Sequence, residues 1–110
     1  MPGPSLPLIQ GTLDLLVLRT LASGPMHGYH IAVTIRERTG GELNIEDAAL
    51  YQSLHRLDRR GLVDAEWGPS ENNRRARYYT LTAAGRKRLR EETGNWRRYA
   101  RAVDAVLEGA

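Results

Sequence analysis

Three arginines and two tyrosines crowd the stretch ENNRRARYYTLT, residues 71–82. Arg74, Arg75 and Arg77 are permanent cations, and a guanidinium donates paired hydrogen bonds to phosphate or carboxylate oxygens. Tyr78 adds a hydroxyl donor. The chemistry on offer is the recognition of an anion. Bond-breaking chemistry has much less to work with. The chain has no Ser/His/Asp spacing, paired-carboxylate motif or phosphate-cradling glycine loop. His27 and His30 stand three apart in HGYH, but two histidines without a nearby third ligand fall short of a zinc site. His27 is expected to hold the short segment ahead of a helix. Cysteine is absent, which excludes disulfides and thiolate ligands. We expect no catalytic activity, metal or cofactor.

The charge is unevenly spread. Residues 50–90 hold ten Arg/Lys against four Asp/Glu, a net of +6, whereas the whole chain carries +3. A local basic block within a folded domain is the usual electrostatic footprint of a nucleic-acid binder. A solvated face gives the same composition, so the block needs an architecture to mean more. The 110 residues suffice for one domain. No apolar run reaches the length of a membrane span, and MPGPSLPLIQ lacks the basic region of a secretory signal. The cytoplasm is the expected compartment.

Residues 1–7, with three prolines and a glycine, read as a flexible arm. A first helix is expected from Leu8 to Ala22, closed by Ser-Gly-Pro. Leu13, Leu16, Val17 and Leu21 form one apolar stripe, while Leu8, Leu15, Leu18 and Ala22 lie largely off it and need a partner of their own. A second helix follows over Tyr29–Thr39. The third begins with Asn44 as N-cap and Asp47 three residues on, and runs to Arg60, where Gly61 closes it. Its core stripe of Leu50, Leu54 and Leu57 turns Gln52, His55 and Arg59 outward, with Tyr51 and Arg56 on the flanks. LVDAEW alternates like a half-buried strand, GPSENN is turn chemistry, and ARYYTLT returns as the second strand. Thr82 then caps a last helix over Ala83–Leu107.

Helix, helix, helix, hairpin, helix is a mainly α, α+β plan: a winged helix-turn-helix followed by a long C-terminal helix. In that plan the third helix enters the major groove of double-stranded DNA and the hairpin, or wing, follows the backbone or minor groove. Arg74, Arg75 and Arg77 are then expected at the wing tip, where they can meet phosphates or a narrow minor groove, and Tyr78 can donate to a phosphate on the same outward face. On the third helix Tyr51, Gln52, His55 and Arg56 are the expected DNA contacts; Tyr51, at the flank, is part core with only its hydroxyl reaching a phosphate. His55 either touches a base or is simply exposed.

GTLDLLVLRTLASGPMHGYHIAVTI, ALYQSLHRLDRRGLVDAEW and ENNRRARYYTLTAAGRKRL together resemble the PadR family of transcriptional regulators, from about Leu8 to Leu107. The resemblance implies a winged-helix domain over 8–82, a dimerisation helix over 83–110, and repression from a pseudo-palindromic operator. The single C-terminal helix looks like the shorter branch of that family. Two positions depart from its pattern. Gln52 stands where proline often follows the recognition-helix tyrosine, and Asn72-Asn73 replaces Asn-Gly at the tip. A glutamine facing outward can read adenine bidentately.

Leu89, Trp96 and Val103 recur every seven residues along the last helix, with Ala100 and Leu107 between, as in a short coiled-coil seam. A homodimer joined there and at the outer face of the first helix is the simplest way to cover these stripes. Trp96 is either a plain interface anchor or one wall of a slot for a planar aromatic effector, lined by Leu15, Arg19 and Ala100. The other class of function open to such a fold is protein–protein association without DNA readout.

Overall fold

The computed structural model describes residues 6–9 and 11–109. Helix α1 spans Thr12–Leu21 and starts four residues later than its apolar pattern implies. Gly11 takes φ 90°, a left-handed conformation that glycine adopts without steric cost. The Ile9 carbonyl accepts from the Thr12 amide at 3.0 Å and from its hydroxyl at 2.5 Å. Leu8 therefore lies in an irregular segment rather than in a helical turn. Of the expected arm, residues 1–5 fall outside the described residues, and the Leu6 amide donates to the Glu42 carbonyl at 2.9 Å.

Strand β1, Met26–His27, leads directly into α2, Gly28–Arg38, whose N-cap is His27. Its Nδ1 accepts from the His30 amide at 3.2 Å, the holding role expected of it. Helix α3 spans Asp47–Arg59 with Glu46 at the N-cap and no side-chain cap. The expected capping box at Asn44 is not formed. Ile45 is instead drawn into the core, 7% exposed, which keeps this approach outside the helix. Gly61 at φ 71° ends α3, and the Leu62 amide reaches back to the Leu57 carbonyl at 2.9 Å, as in a Schellman closure.

Strands β2, Val63–Pro69, and β3, Arg75–Leu81, pair antiparallel from Val63↔Leu81 to Pro69↔Arg75. Asn73 at φ 58° supplies the left-handed residue of the tip, as asparagine there suggests. The sheet has three strands in the order β1-β3-β2, because Met26 and His27 pair with Tyr79 and Tyr78. A two-residue strand has too little pattern to be seen in sequence. Helix α4, Ala83–Glu108, follows, with the Thr82 hydroxyl accepting from the Gly85 amide at 3.0 Å.

The core joins Leu13, Val17, Leu18 and Leu21 of α1 to Ile31 and Ile35 of α2 and to Leu50, Leu54 and Leu57 of α3, closed below by Val63, Tyr79 and Leu81. Leu18 belongs to this core at 1% exposure, not to a surplus face. Helix α1 is in contact with α2, α3, β3 and α4. Its second apolar side is thus partly covered within the chain, by α4.

Candidate nucleic-acid interface

Helix α3 presents Tyr51, Gln52, His55 and Arg59 to solvent. The Leu50/Leu54/Leu57 stripe anchors the opposite face, and that anchoring sets the outward direction. Tyr51 is half exposed and packs close to the start of α2. A Cβ on Gly28 would stand 2.9 Å from its ring carbon Cε1 and from its hydroxyl. Glycine at 28 is what lets the ring approach α2 this closely.

Arg56 behaves differently from its neighbours. Its Nε and Nη2 donate to Asp14 of α1 at 3.0 and 2.6 Å, and the Ser53 hydroxyl donates to the same carboxylate at 2.6 Å. Burial works to raise the Asp14 pKa. The hydrogen bonds from Arg56 and Ser53, with the charges of Arg56 and Arg60, outweigh it and hold the carboxyl below its ordinary value. Expected to point at DNA, the Arg56 guanidinium is bound inward, where it ties α3 to α1. Asp14 gave no sequence signal beyond being a carboxylate on an apolar helix.

The hairpin places its arginines less uniformly than the sequence suggests. Arg74 is in the turn and Arg75 opens β3. Arg77 sits two residues further down the strand, opposite Trp67. Its Nη2 lies 3.6 Å from Asp58 of α3, so it is on the stem of the wing and not at its tip. Alternation puts Arg75 and Arg77 on the face that carries Tyr79 and Leu81. Tyr78 is on the other face, contrary to the expectation that it joins the arginines. Its hydroxyl donates to the Pro69 carbonyl at 2.7 Å, and its ring meets His27 edge-on at 5.6 Å.

Between the wing and the α2–α3 face runs an open groove of about 760 Å³, with Tyr29, Tyr51, Trp67, Arg74, Arg75 and Arg77 on its walls. It brings the three arginines and Tyr51 together. Gln52 and His55 lie outside it on the exposed face of α3.

A second region lies along α1 and α4. Leu15, Arg19 and Trp96 share a groove of about 810 Å³, and the segment from Leu6 to Ile9 encloses a smaller apolar one of about 350 Å³ with Leu43 and Trp96. Ala100 lines neither. Leu89, expected at a dimer seam, packs against the chain's own core. Tyr99, Val103, Val106 and Leu107 are exposed. Tyr99 and Val106 were missed, although each stands three residues beyond an apolar position already singled out. Among the described residues, no group of three or more His, Asp or Glu is placed to hold a metal ion, and no helix is long and apolar enough to cross a membrane.

A polar, outward-facing third helix beside an arginine-bearing hairpin defines a winged helix-turn-helix protein. The model of the transcriptional regulator PadR-like family matches residues 17–91. An uncharacterised protein of Lysinibacillus sphaericus is 29% identical over 102 residues, covering 93% of this chain and 94% of its own. Among solved structures, a PadR family transcriptional regulator from Eggerthella lenta is 31% identical at a TM-score of 0.79, over 92% of this chain and 86% of that one. A transcriptional regulator from Clostridium thermocellum also has a TM-score of 0.79, with 27% identity over 86% and 89% of the two chains. The chain belongs to the PadR-like family of transcriptional regulators. It is a DNA-binding transcriptional regulator with a winged helix-turn-helix and a C-terminal helix.

Proposed function

We propose that the protein is a homodimeric repressor that binds a pseudo-palindromic operator and is released by a small planar aromatic molecule. In this reading residues 8–82 form the DNA-binding unit and 83–110 the dimerisation helix. Helix α3 enters the major groove. Gln52 and His55 face base edges, Tyr51 contacts the backbone, and Arg74 and Arg75 meet phosphates beside the groove.

The observation that carries the reading is a separation of surfaces. The polar α3 face and the wing groove are built from different residues than the exposed apolar run of Tyr99, Val103, Val106 and Leu107. A two-fold axis through that run leaves both reading helices free. Half-sites are then spaced by about one helical turn, roughly 10 bp. Leu15, Arg19 and Trp96 line the space offered to an effector. The effector releases DNA only if it binds one relative setting of the two reading units more tightly than the other.

The test is selection of duplexes from a random-sequence library, followed by binding across a salt series. We expect a two-fold related site, and affinity that falls steeply as salt rises because counterions are released. Replacing Arg74, Arg75 and Arg77 together by Ala lowers affinity for all sequences and the salt slope with it, whereas Gln52→Ala changes base preference at one position. Enrichment of no duplex, with unspecific sequences bound no better than by the triple variant, would sink the reading in favour of a protein-association module. Titration with planar cationic and phenolic compounds, followed by tryptophan fluorescence, tests the effector. Quenching that persists unchanged in Trp96→Ala removes Trp96 from the slot.

A further inference from the structure

Trp67 is a large ring with no place in the core. It is 60% exposed near the end of β2, while Val63, four residues back on the same face, is buried. Its surroundings give it a use. Arg77 lies directly across the ladder, and Arg75 is the diagonal neighbour on the same face. The guanidinium carbon of Arg75 stands 5.9 Å from the indole centroid, within the range of attraction between a cation and an aromatic face.

The two arginines are therefore held in different ways. Arg77 faces Asp58 at 3.6 Å, which links the stem of the wing to α3. Arg75 lies by the indole at the mouth of the groove, opposite Tyr29, which is 70% exposed, and Tyr51. Glu71 lines the same groove and would compete for a free guanidinium. A long side chain resting on a ring keeps its charge, leaves its N–H donors open to an incoming anion, and has less freedom to lose on binding.

We infer that Trp67 is a positioning residue for DNA binding: its indole presents Arg75 to the phosphate backbone at the mouth of the wing groove. Asp58, through Arg77, sets the angle of the wing against α3. The inference rests on the DNA reading above and assigns Trp67 a role that packing of the hairpin does not require.

The test is a double-mutant cycle read by fluorescence anisotropy on an end-labelled, mixed-sequence duplex several helical turns long. Trp67→Ala weakens binding about two- to fivefold, the factor expected for an exposed contact of this kind. Trp67→Phe, which keeps an aromatic face, recovers most of the loss. In an Arg75→Ala background, Trp67→Ala adds no further loss. Should the alanine variant lose its hairpin by circular dichroism, Trp67→Leu, which keeps the bulk and removes the π-face, replaces it in the cycle. Equal losses in the two backgrounds, or no loss at all, overturn the inference. If Trp67 variants bind like the parent while the triple arginine variant is weakened, the inference fails and the DNA reading stands. A parent protein that binds duplex without salt dependence defeats the DNA reading, and this inference with it.

Discussion

Replacing Asp14 by alanine tests whether the tie between α1 and α3 sets the stability of the fold. The carboxylate accepts three hydrogen bonds, one from Ser53 and two from Arg56. The Ser53 side chain is fully buried, so removing its acceptor leaves a buried hydroxyl without a partner, at about 1–3 kcal/mol. The Arg56 side chain is 36% exposed, and water takes up most of its loss, leaving about 0–1 kcal/mol. The two contributions add to about 1–4 kcal/mol, centred on about 2, which lowers Tm by about 10 °C for a chain of this size. Urea unfolding at fixed protein concentration measures it, since dimerisation would otherwise shift the midpoint. Removing the orphan as well, in Asp14→Ala/Ser53→Ala, returns about 1 kcal/mol. The pH dependence has a definite sign. The Asp14 pKa is lowered in the folded chain from an ordinary 3.8, so the unfolded chain binds the proton first as pH falls. This stabilisation is fully present above about 3.8 and is lost as pH drops through the folded value. Asp14→Asn, which cannot ionise, lacks that part of the acid slope. A variant within about 0.5 kcal/mol of the parent, or an Asp14→Asn protein with the parental acid slope, refutes the reasoning.

Gly85→Ala should be among the most damaging single-methyl changes, because its Cβ would collide with the Leu62 carbonyl where α4 starts. A loss of about 3 kcal/mol or more in urea unfolding is expected from overpacking against backbone. Gly28→Ala places a Cβ 2.9 Å from Tyr51, and because that ring is half exposed it can swing away. Stability then changes by about 1 kcal/mol, while DNA affinity falls further than stability does in parallel anisotropy and urea titrations. Val103→Asp/Leu107→Asp puts charges on the exposed apolar run of α4, and light scattering should return monomer or aggregate. An unchanged dimer mass would move the interface elsewhere.

Most of the fold is legible in the sequence because its elements obey simple periods. The Leu50/Leu54/Leu57 stripe, the turn at Asn72-Asn73 and the Thr82 cap each have a local cause, and each stands where its cause places it. The failures share a different origin. Whether Ile45 joins a helix or the core, or whether Met26 and His27 add a strand to β3, is decided by tertiary packing that no short window contains. The candidate site divides in the same manner. Outward direction on α3 follows from 100° per residue, so Gln52 and His55 are exposed as geometry requires.

What geometry cannot supply is the partner of a charge. Arg56 and Arg77 look like Arg59 and Arg74 in sequence. Asp14 lies 42 residues from Arg56, and Asp58 lies across a turn and a strand from Arg77. The result is a basic surface with two classes of arginine. Arg56 and Arg77 hold α3 to α1 and the wing to α3. Arg74 and Arg75 stand at the groove's edge. A net charge counts both classes alike. The energetics of DNA binding do not, because an arginine already paired with a carboxylate brings less free charge to a phosphate and so releases fewer counterions. The effective charge of the wing is therefore smaller than its three arginines suggest. Asp58 limits the wing by taking Arg77, as Asp14 limits α3 by taking Arg56, and both ties fasten the elements that carry the remaining cations.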